Sequence, residues 1–260
     1  MTALDPATRL TSLQSSTDRF TFGVLDGLGL SSGAHCVDLG AGAGSVADGL
    51  VERCPDGRVV AVDLDVSHLD GSRAQVLAAD IADLDFAPGS FDLVHARFVL
   101  CHLPTRDEVV AKAAGWLRPG GWLVVTDPFH LPEETAPHPV IARIMAAYRR
   151  LQSGSDLTWV RRVPSLLGAA GLCDIEFTAR PACLGNRDGD RWRPLIDQAA
   201  PALLERGLVT ESDLAEFRSR LVEPAFVDIP QVTLAVWGRK PYIAMGAEVV
   251  TGSPVVNRKM

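Results

Sequence analysis

The segment Val37-Asp38-Leu39-Gly40-Ala41-Gly42-Ala43-Gly44 carries the strongest chemical signal in the chain. Three alternate glycines between an apolar run and a helical pattern let backbone approach a ligand where side chains would block it. Asp63 closes the next β-branched run, 19 residues after Gly44. A carboxylate at that place can accept both hydroxyls of an adenosine ribose. Strand, glycine turn, helix, strand and acid, in that order, point to a cofactor with a nucleoside end. The phosphate-binding fingerprint asks for glycine or alanine three residues after its second glycine, and here that position is Ser45. Asp38, two residues before Gly40, would repel a pyrophosphate and attract a cationic amino group.

These residues need a frame, and the pattern around them predicts one. His35–Leu39, Arg58–Val62, Ala74–Ala79, Phe91–His95 and Trp122–Thr126 read as strands, with helices at 5–30, Ser45–Cys54 and Thr105–Leu117. Only about eleven residues separate Asp63 from the third strand, so the crossover there is one short turn around Val66–Leu69. Thr105 followed by Glu108 is a capping-box pattern. Strands alternating with helices predict a parallel sheet covered on both faces. Further along, Val140–Gln152 and Val163–Ala170 read as helices, and Asp174–Ala179 and Thr233–Trp237 as strands. Between those strands an insertion, Pro181–Gln231, holds helix candidates at Trp192–Arg206 and Glu211–Leu221. The stretch 242–260 lacks periodicity and is expected to be a mobile tail.

Composition sets the outer limits. At 260 residues, 47% apolar and 22% charged, the chain suits one α/β domain with a full core. A net charge of −7 argues against a general nucleic-acid binder. No apolar run reaches the ~18–20 residues of a membrane span, and the start MTALDPATRL has no leader-like apolar stretch. Five scattered cysteines without a CxxC pair fit reduced thiols. No histidine–carboxylate spacing suggests a metal site. The expectation is a cytoplasmic protein.

The segments VDLGAGAGSVADGL, VVAVDLD, AADIADLDFAPGSFDLVHARFVLCHLP and WLRPGGWLVVTDP resemble the successive motifs of class I S-adenosylmethionine-dependent methyltransferases. Their order resembles most the branch that modifies quinones and natural products. The resemblance implies a Rossmann-like, doubly wound seven-stranded sheet of order 3-2-1-4-5-7-6 with the last strand antiparallel. It implies a single domain over 1–241: lid helices in 1–30, a cofactor-binding half in 30–130, and a substrate-side half in 131–241 with the insertion 181–231. The cofactor it implies is S-adenosylmethionine, leaving as S-adenosylhomocysteine. By position, Gly40, Ala41, Gly42 and Gly44 would pass beneath it and Asp38 would sit near its methionine amino group. Asp63 would hold the ribose, with Leu64 against the adenine. Asp80 would accept from the adenine amine with Ile81 beside the ring, and His95, Ala96 and Arg97 would line the methionine end. The amino-methyltransferase signature [Asp/Asn]-Pro-Pro-[Tyr/Phe] is absent, since the chain reads His95-Ala96-Arg97-Phe98 after the fourth strand.

Methyl transfer from a sulfonium needs mainly alignment, but a hydroxyl acceptor must also lose a proton. His130 follows the fifth strand, at the carboxyl end where ligands gather in open α/β sheets, and is read as the base. His102 and the carboxylate Asp127 are its alternates. Phe20, Phe22, Phe129, Tyr148, Trp159 and Trp192 could line an aromatic acceptor pocket, or simply pack the core. The expected activity is methylation of a small molecule, oxygen ahead of nitrogen or carbon, by a monomer or homodimer. Two other classes share the motifs: a cofactor-binding protein using the fold for a reaction such as cyclisation or for an interaction role, and a nicotinamide-dependent oxidoreductase.

Overall fold

The computed structural model describes residues 6–152, 154–185 and 192–242. In chain order the elements are α1 (Pro6–Gly27), β1 (His35–Leu39), α2 (Ser45–Arg53), β2 (Arg58–Asp63), β3 (Gln75–Ala78), β4 (Phe91–Arg97), α3 (Arg106–Trp116) and β5 (Leu117–His130). There follow α4 (Pro139–Leu151), α5 (Val163–Ala169), β6 (Cys173–Gly185), α6 (Trp192–Glu205), α7 (Glu211–Leu221) and β7 (Val227–Arg239). The strands form one seven-stranded sheet of order β3-β2-β1-β4-β5-β7-β6. The first five pair in parallel, and β7 runs antiparallel between β5 and β6. This is the topology the motif order implies.

The central strands are apolar on both faces because both are covered. Val37, Leu39, Val60, Val62, Val94, Leu123 and Val125 pack against α3 and α5 through Val109, Val110, Ala113, Val163 and Leu167. The alternate residues Cys36, Val59, Ala61, Leu93 and Val124 face α1 and α2 through Leu25, Val46, Ala47 and Leu50. A third cluster joins α4, α6 and α7 around Ile141, Ile144, Trp192, Ile196, Leu203, Leu214 and Phe217, with Leu184 and Phe226 at the strand ends. The aromatic set expected as an acceptor wall is largely core: Trp159 belongs to the first cluster, Tyr148 and Trp192 to the third. No helix among the described residues is long and apolar enough to cross a membrane.

One local expectation holds and two are corrected. The short crossover after β2 is a single 3-10 turn, Val66–His68, with the Asp65 carboxylate accepting from the Ser67 N–H, as the spacing requires. The capping box at Thr105 and Glu108 does not form, and the Thr105 hydroxyl is buried without a partner. A reciprocal box forms instead at Thr210 and Asp213, heading α7. The insertion is shorter than 181–231, because β6 and β7 keep pairing past Pro181 and Gln231 to Gly185↔Val227. Pro181 is tolerated because β6 is the sheet edge, where one side of the strand needs no ladder donor. The expected tail is outside the described residues from residue 243 on.

Candidate active site

The carboxyl ends of β1, β2, β3 and β4 open on a cavity of about 320 Å³. Its floor is the glycine turn. Gly40 and Ala41 donate their N–H groups to the Val62 carbonyl at 2.8 and 2.9 Å, which ties the turn to the end of β2. Gly40 adopts φ +71°, and a Cβ there would come within 2.6 Å of the Val99 side chain. Only glycine meets both conditions without strain. Gly42 donates its N–H to Asp63 Oδ2 at 2.8 Å, while Asp63 Oδ1 accepts from the Asp65 N–H at 3.2 Å. The carboxylate is thereby fixed at the cavity edge.

Of the residues expected around a cofactor, Asp38, Gly40, Ala41, Gly42, Asp63, Leu64, Asp80, Ile81 and Arg97 line this cavity. Leu64 is 74% exposed, an unusual place for a leucine unless something covers it. Ile81 is buried beside it as a second apolar wall, and Asp80 Oδ1 caps its own turn by accepting from the Ala82 N–H. Three other expected residues, Gly44, His95 and Ala96, do not line it. Gly44 is the N-cap of α2 with φ +83°, and its Cα faces Leu69, whose Cδ2 would be 2.9 Å from an added Cβ. Ala96 lies on the opposite sheet face, inside the α3/α5 core. His95 has no exposed surface and stands behind Asp38, its Nδ1 2.7 Å from Asp38 Oδ1.

Arg97 borders the cavity, but its guanidinium is committed. It donates to Asp18 Oδ1 and Thr21 Oγ of α1 at 2.8 and 3.0 Å, and to Ser45 Oγ of α2 at 3.1 Å. Ser45 in turn donates to Asp18 Oδ1 at 3.0 Å. The serine that breaks the phosphate fingerprint thus helps to dock α1. The cavity wall then carries the carboxylates of Asp38, Asp63 and Asp80 against a single, already paired arginine. That balance suits a ligand with hydroxyls and a cationic group, and disfavours a pyrophosphate. The backbone cradle under Gly40, the carboxylate held at the cavity edge and the apolar pair Leu64 and Ile81 are of a chemistry that would fit the nucleoside and amino-acid ends of S-adenosylmethionine.

The residues after β4 were not expected to line the cavity, apart from His102. Phe98, Val99, His102 and Leu103 all do, joined by Gln14 from α1. Phe98 has φ +53°, rare for a bulky residue, and so bends the chain over the cavity. That positive φ has no sequence signature. Its geometry is held from beneath by Asp127, whose Oδ2 accepts the Cys101 N–H at 2.9 Å while Oδ1 is buried without a partner. Burial pushes the Asp127 carboxyl up to about 7. Asp127 therefore supports the wall and is not part of it.

The two histidines separate clearly. His102 is exposed at the cavity mouth, its Nδ1 in hydrogen-bond contact with Ser155 Oγ. His130 is buried under the edge of Trp192, with ring centroids 5.8 Å apart. It borders a different, much smaller cavity with Glu133, Ile141, Met145 and Asp228. The sequence could not place Trp192 over His130, since they stand 62 positions apart and α6 brings them together.

Residues 37–125 match the family described as "Methyltransferase domain". The chain is 41% identical over 95 residues to Methyltransferase str3 of Strobilurus tenacellus, a match spanning 35% of this chain and only 34% of that protein's length. A longer likeness, 27% identical over 220 residues, is to Methyltransferase GfsG of Streptomyces halstedii and covers 78% of this chain and 75% of that one. Among solved structures, Haemonchus contortus phosphoethanolamine N-methyltransferase 2 in complex with S-adenosyl-L-methionine superimposes with a TM-score of 0.57 at 19% identity, over 86% of this chain and 52% of that one. At that identity the likeness is one of fold.

Proposed function

We propose that the chain is a class I S-adenosylmethionine-dependent methyltransferase, a reading supported by the family match over residues 37–125, the methyltransferase relatives and the sheet order, and that it methylates a small secondary metabolite, on oxygen before nitrogen or carbon. The observation that carries the reading is the Asp63 carboxylate, fixed to the Gly42 N–H at the edge of an acid-lined cavity. When bound, the cofactor supplies a methyl group already activated by its sulfonium. The chain's own task is to hold, orient and dry the reactants. Asp63 takes the ribose hydroxyls, Asp38 the methionine ammonium, and Leu64 and Ile81 the two sides of the adenine, with Asp80 at its amine. Holding two reactants at attack distance supplies ~7–11 kcal/mol of the barrier.

His102 is the base in this proposal, ahead of the His130 that sequence position favours. It stands at the mouth of the cavity, with Ser155 fixing one ring nitrogen, whereas His130 lies behind Trp192. A positioned base contributes about 10²–10⁴-fold. The helices α4, α6 and α7 with α1 form the walls that exclude water and choose the acceptor. The same proposal has the enzyme working in the cytoplasm as a monomer or homodimer, with no nucleic-acid partner, in keeping with its net charge of −7.

Calorimetric titration with S-adenosylmethionine, S-adenosylhomocysteine and NADH tests the cofactor. Micromolar binding of the first two alone is expected, lost by a hundredfold or more in Asp63→Ala. NADH binding alone would overturn the reading. Mass spectrometry of acceptor reactions tests the transfer: a gain of one methyl supports it, and a rearranged product of unchanged mass refutes it. In a competent reaction His102→Ala is expected to slow turnover at least tenfold with cofactor affinity kept, and His130→Ala to leave the cofactor site intact.

A further inference from the structure

His95 is a residue that neither sheet packing nor methyl transfer calls for. It lies on the sheet face covered by α1 and α2, in register with Asp38 of β1 and Val124 of β5. Its neighbours on that face, Leu93 and Val124, are apolar core. A valine or leucine at this place would fill the same space at no polar cost. The imidazole instead keeps Nε2 fully buried without a hydrogen-bond partner, a net loss to stability. A local rule broken in this way at the edge of a binding site points to a function for the other ring nitrogen.

That nitrogen, Nδ1, donates to Asp38 Oδ1 at 2.7 Å. It is the one hydrogen bond that the Asp38 side chain makes among the described residues. Asp38 is 2% exposed, and what it exposes borders the cavity. One carboxylate oxygen is therefore clamped from behind, and Oδ2 is left to the ligand side. A carboxylate on a single Cβ–Cγ bond would otherwise rotate and divide its charge between the cavity and the core.

We infer that His95 is a positioning residue: through Asp38 Oδ1 it aims the Asp38 carboxylate at the cationic amino end of a ligand in the cavity. The inference rests on the methyltransferase reading and deepens it, because it makes one half of the cofactor depend on a residue that never touches it. Affinity for S-adenosylhomocysteine, which carries an α-ammonium group, depends on His95. Affinity for 5′-methylthioadenosine, the same nucleoside without that group, does not. A purely structural His95 would affect both ligands alike.

The test is calorimetry of wild type, His95→Leu and His95→Asn with these two ligands. The Leu variant is expected to weaken S-adenosylhomocysteine by about 10–100-fold, as for loss of a hydrogen bond to a charged group, and 5′-methylthioadenosine by less than about threefold. The Asn variant, whose side-chain amide can donate from near the Nδ1 position, is expected to keep the wild-type ratio of the two affinities. An unchanged ratio in the Leu variant, or an Asn variant that falls as far as Leu, overturns the inference. Nitrogen NMR of the histidine-labelled wild type reads the same point without a substitution. The His95 Nδ1 resonance is expected to move with S-adenosylhomocysteine and to stay with 5′-methylthioadenosine; movement with both or with neither refutes the role. A wild type that binds neither ligand fails the cofactor reading itself, and this inference falls with it.

Discussion

Gly40→Ala probes the closest approach in the cavity floor. At φ +71° an alanine is strained whatever the space around it, by about 1–2 kcal/mol. Its Cβ would also meet Val99 at 2.6 Å from Cγ2, 2.7 Å from Cβ and 3.0 Å from Cγ1. Relieving such overpacking costs about 1–3 kcal/mol. Val99 cannot easily withdraw, since it opens the turn whose Cys101 N–H is fixed by Asp127. The expected destabilisation is the sum, about 2–5 kcal/mol, or a fall of roughly 5–15 °C in the melting midpoint for a chain of this size. The structure also says what rescues it. Val99→Ala removes the two methyl contacts but leaves the Cβ contact at 2.7 Å, so it restores less than half of the loss. Val99→Gly removes all three contacts and leaves only the φ strain. Urea unfolding of the single and double variants gives the coupling directly, expected at about 1–3 kcal/mol in favour of the Gly40→Ala/Val99→Gly pair. If that pair is additive within about 0.5 kcal/mol, the two loops do not meet as described and the floor of the cavity is wrong.

Burial holds the Asp127 carboxyl at about 7 against ~3.9 in an unfolded chain, so the native state binds this proton more tightly. Its contribution to stability is then fullest below about pH 4 and falls as pH rises towards 7, by at most about 1.4 kcal/mol per pH step, and is flat above that. Asp127→Asn keeps an acceptor for the Cys101 N–H but cannot ionise, so urea unfolding at pH 5 and pH 8 should show a smaller decline than in wild type; an equal decline rejects the assignment. Arg97→Met removes the guanidinium that binds Asp18, Thr21 and Ser45 while keeping its apolar stem. Hydrogen exchange of the α1 amides is expected to rise about 10–100-fold, matching a loss of ~1.5–3 kcal/mol for bonds to a charged group, and unchanged α1 protection would show that Arg97 does not dock the helix.

The half that carries the glycine turn was legible because each of its parts is written locally. A β-branched run, a glycine turn in the left-handed region and an acid at the next strand end name their own geometry, and nine of the expected residues line the cavity. Failures came where the answer depends on which way a residue turns. The position of Gly44 reads as one more loop glycine, yet it is the N-cap of α2 and faces Leu69. His95 and Ala96 are neighbours in sequence but alternate across the sheet, so they could not both face one ligand, and Asp38 stands in front of the first. Thr105 with Glu108 and Thr210 with Asp213 carry the same kind of signal, and only the second becomes a box. The choice of histidine was illegible for another reason. It turns on contacts of long sequence separation, His130 with Trp192 and His102 with Ser155, that no local pattern encodes.

The loop after β4 is where the two halves of the molecule meet. On one side Phe98, Val99, His102 and Leu103 face the cavity built by the parallel strands. On the other, the Cys101 N–H bonds to Asp127 of β5, the Cys101 carbonyl accepts from the Asp156 N–H, and His102 meets Ser155, both residues lying in the connection between α4 and α5. Arg106, at the start of α3, adds an ion pair to Asp156 at 3.3 Å. A displacement of α4 therefore has a hydrogen-bonded route to the cavity wall that Phe98 and Val99 form, through one short turn. The same route explains why a carboxyl as costly to bury as Asp127 stands beneath that turn. The Phe98 N–H is held separately by the Thr126 carbonyl at 2.8 Å, so β5 fixes the turn at both its ends and keeps Val99 against the glycine floor. Sites that must hold two reactants in line need such support more than they need any single contact to either reactant.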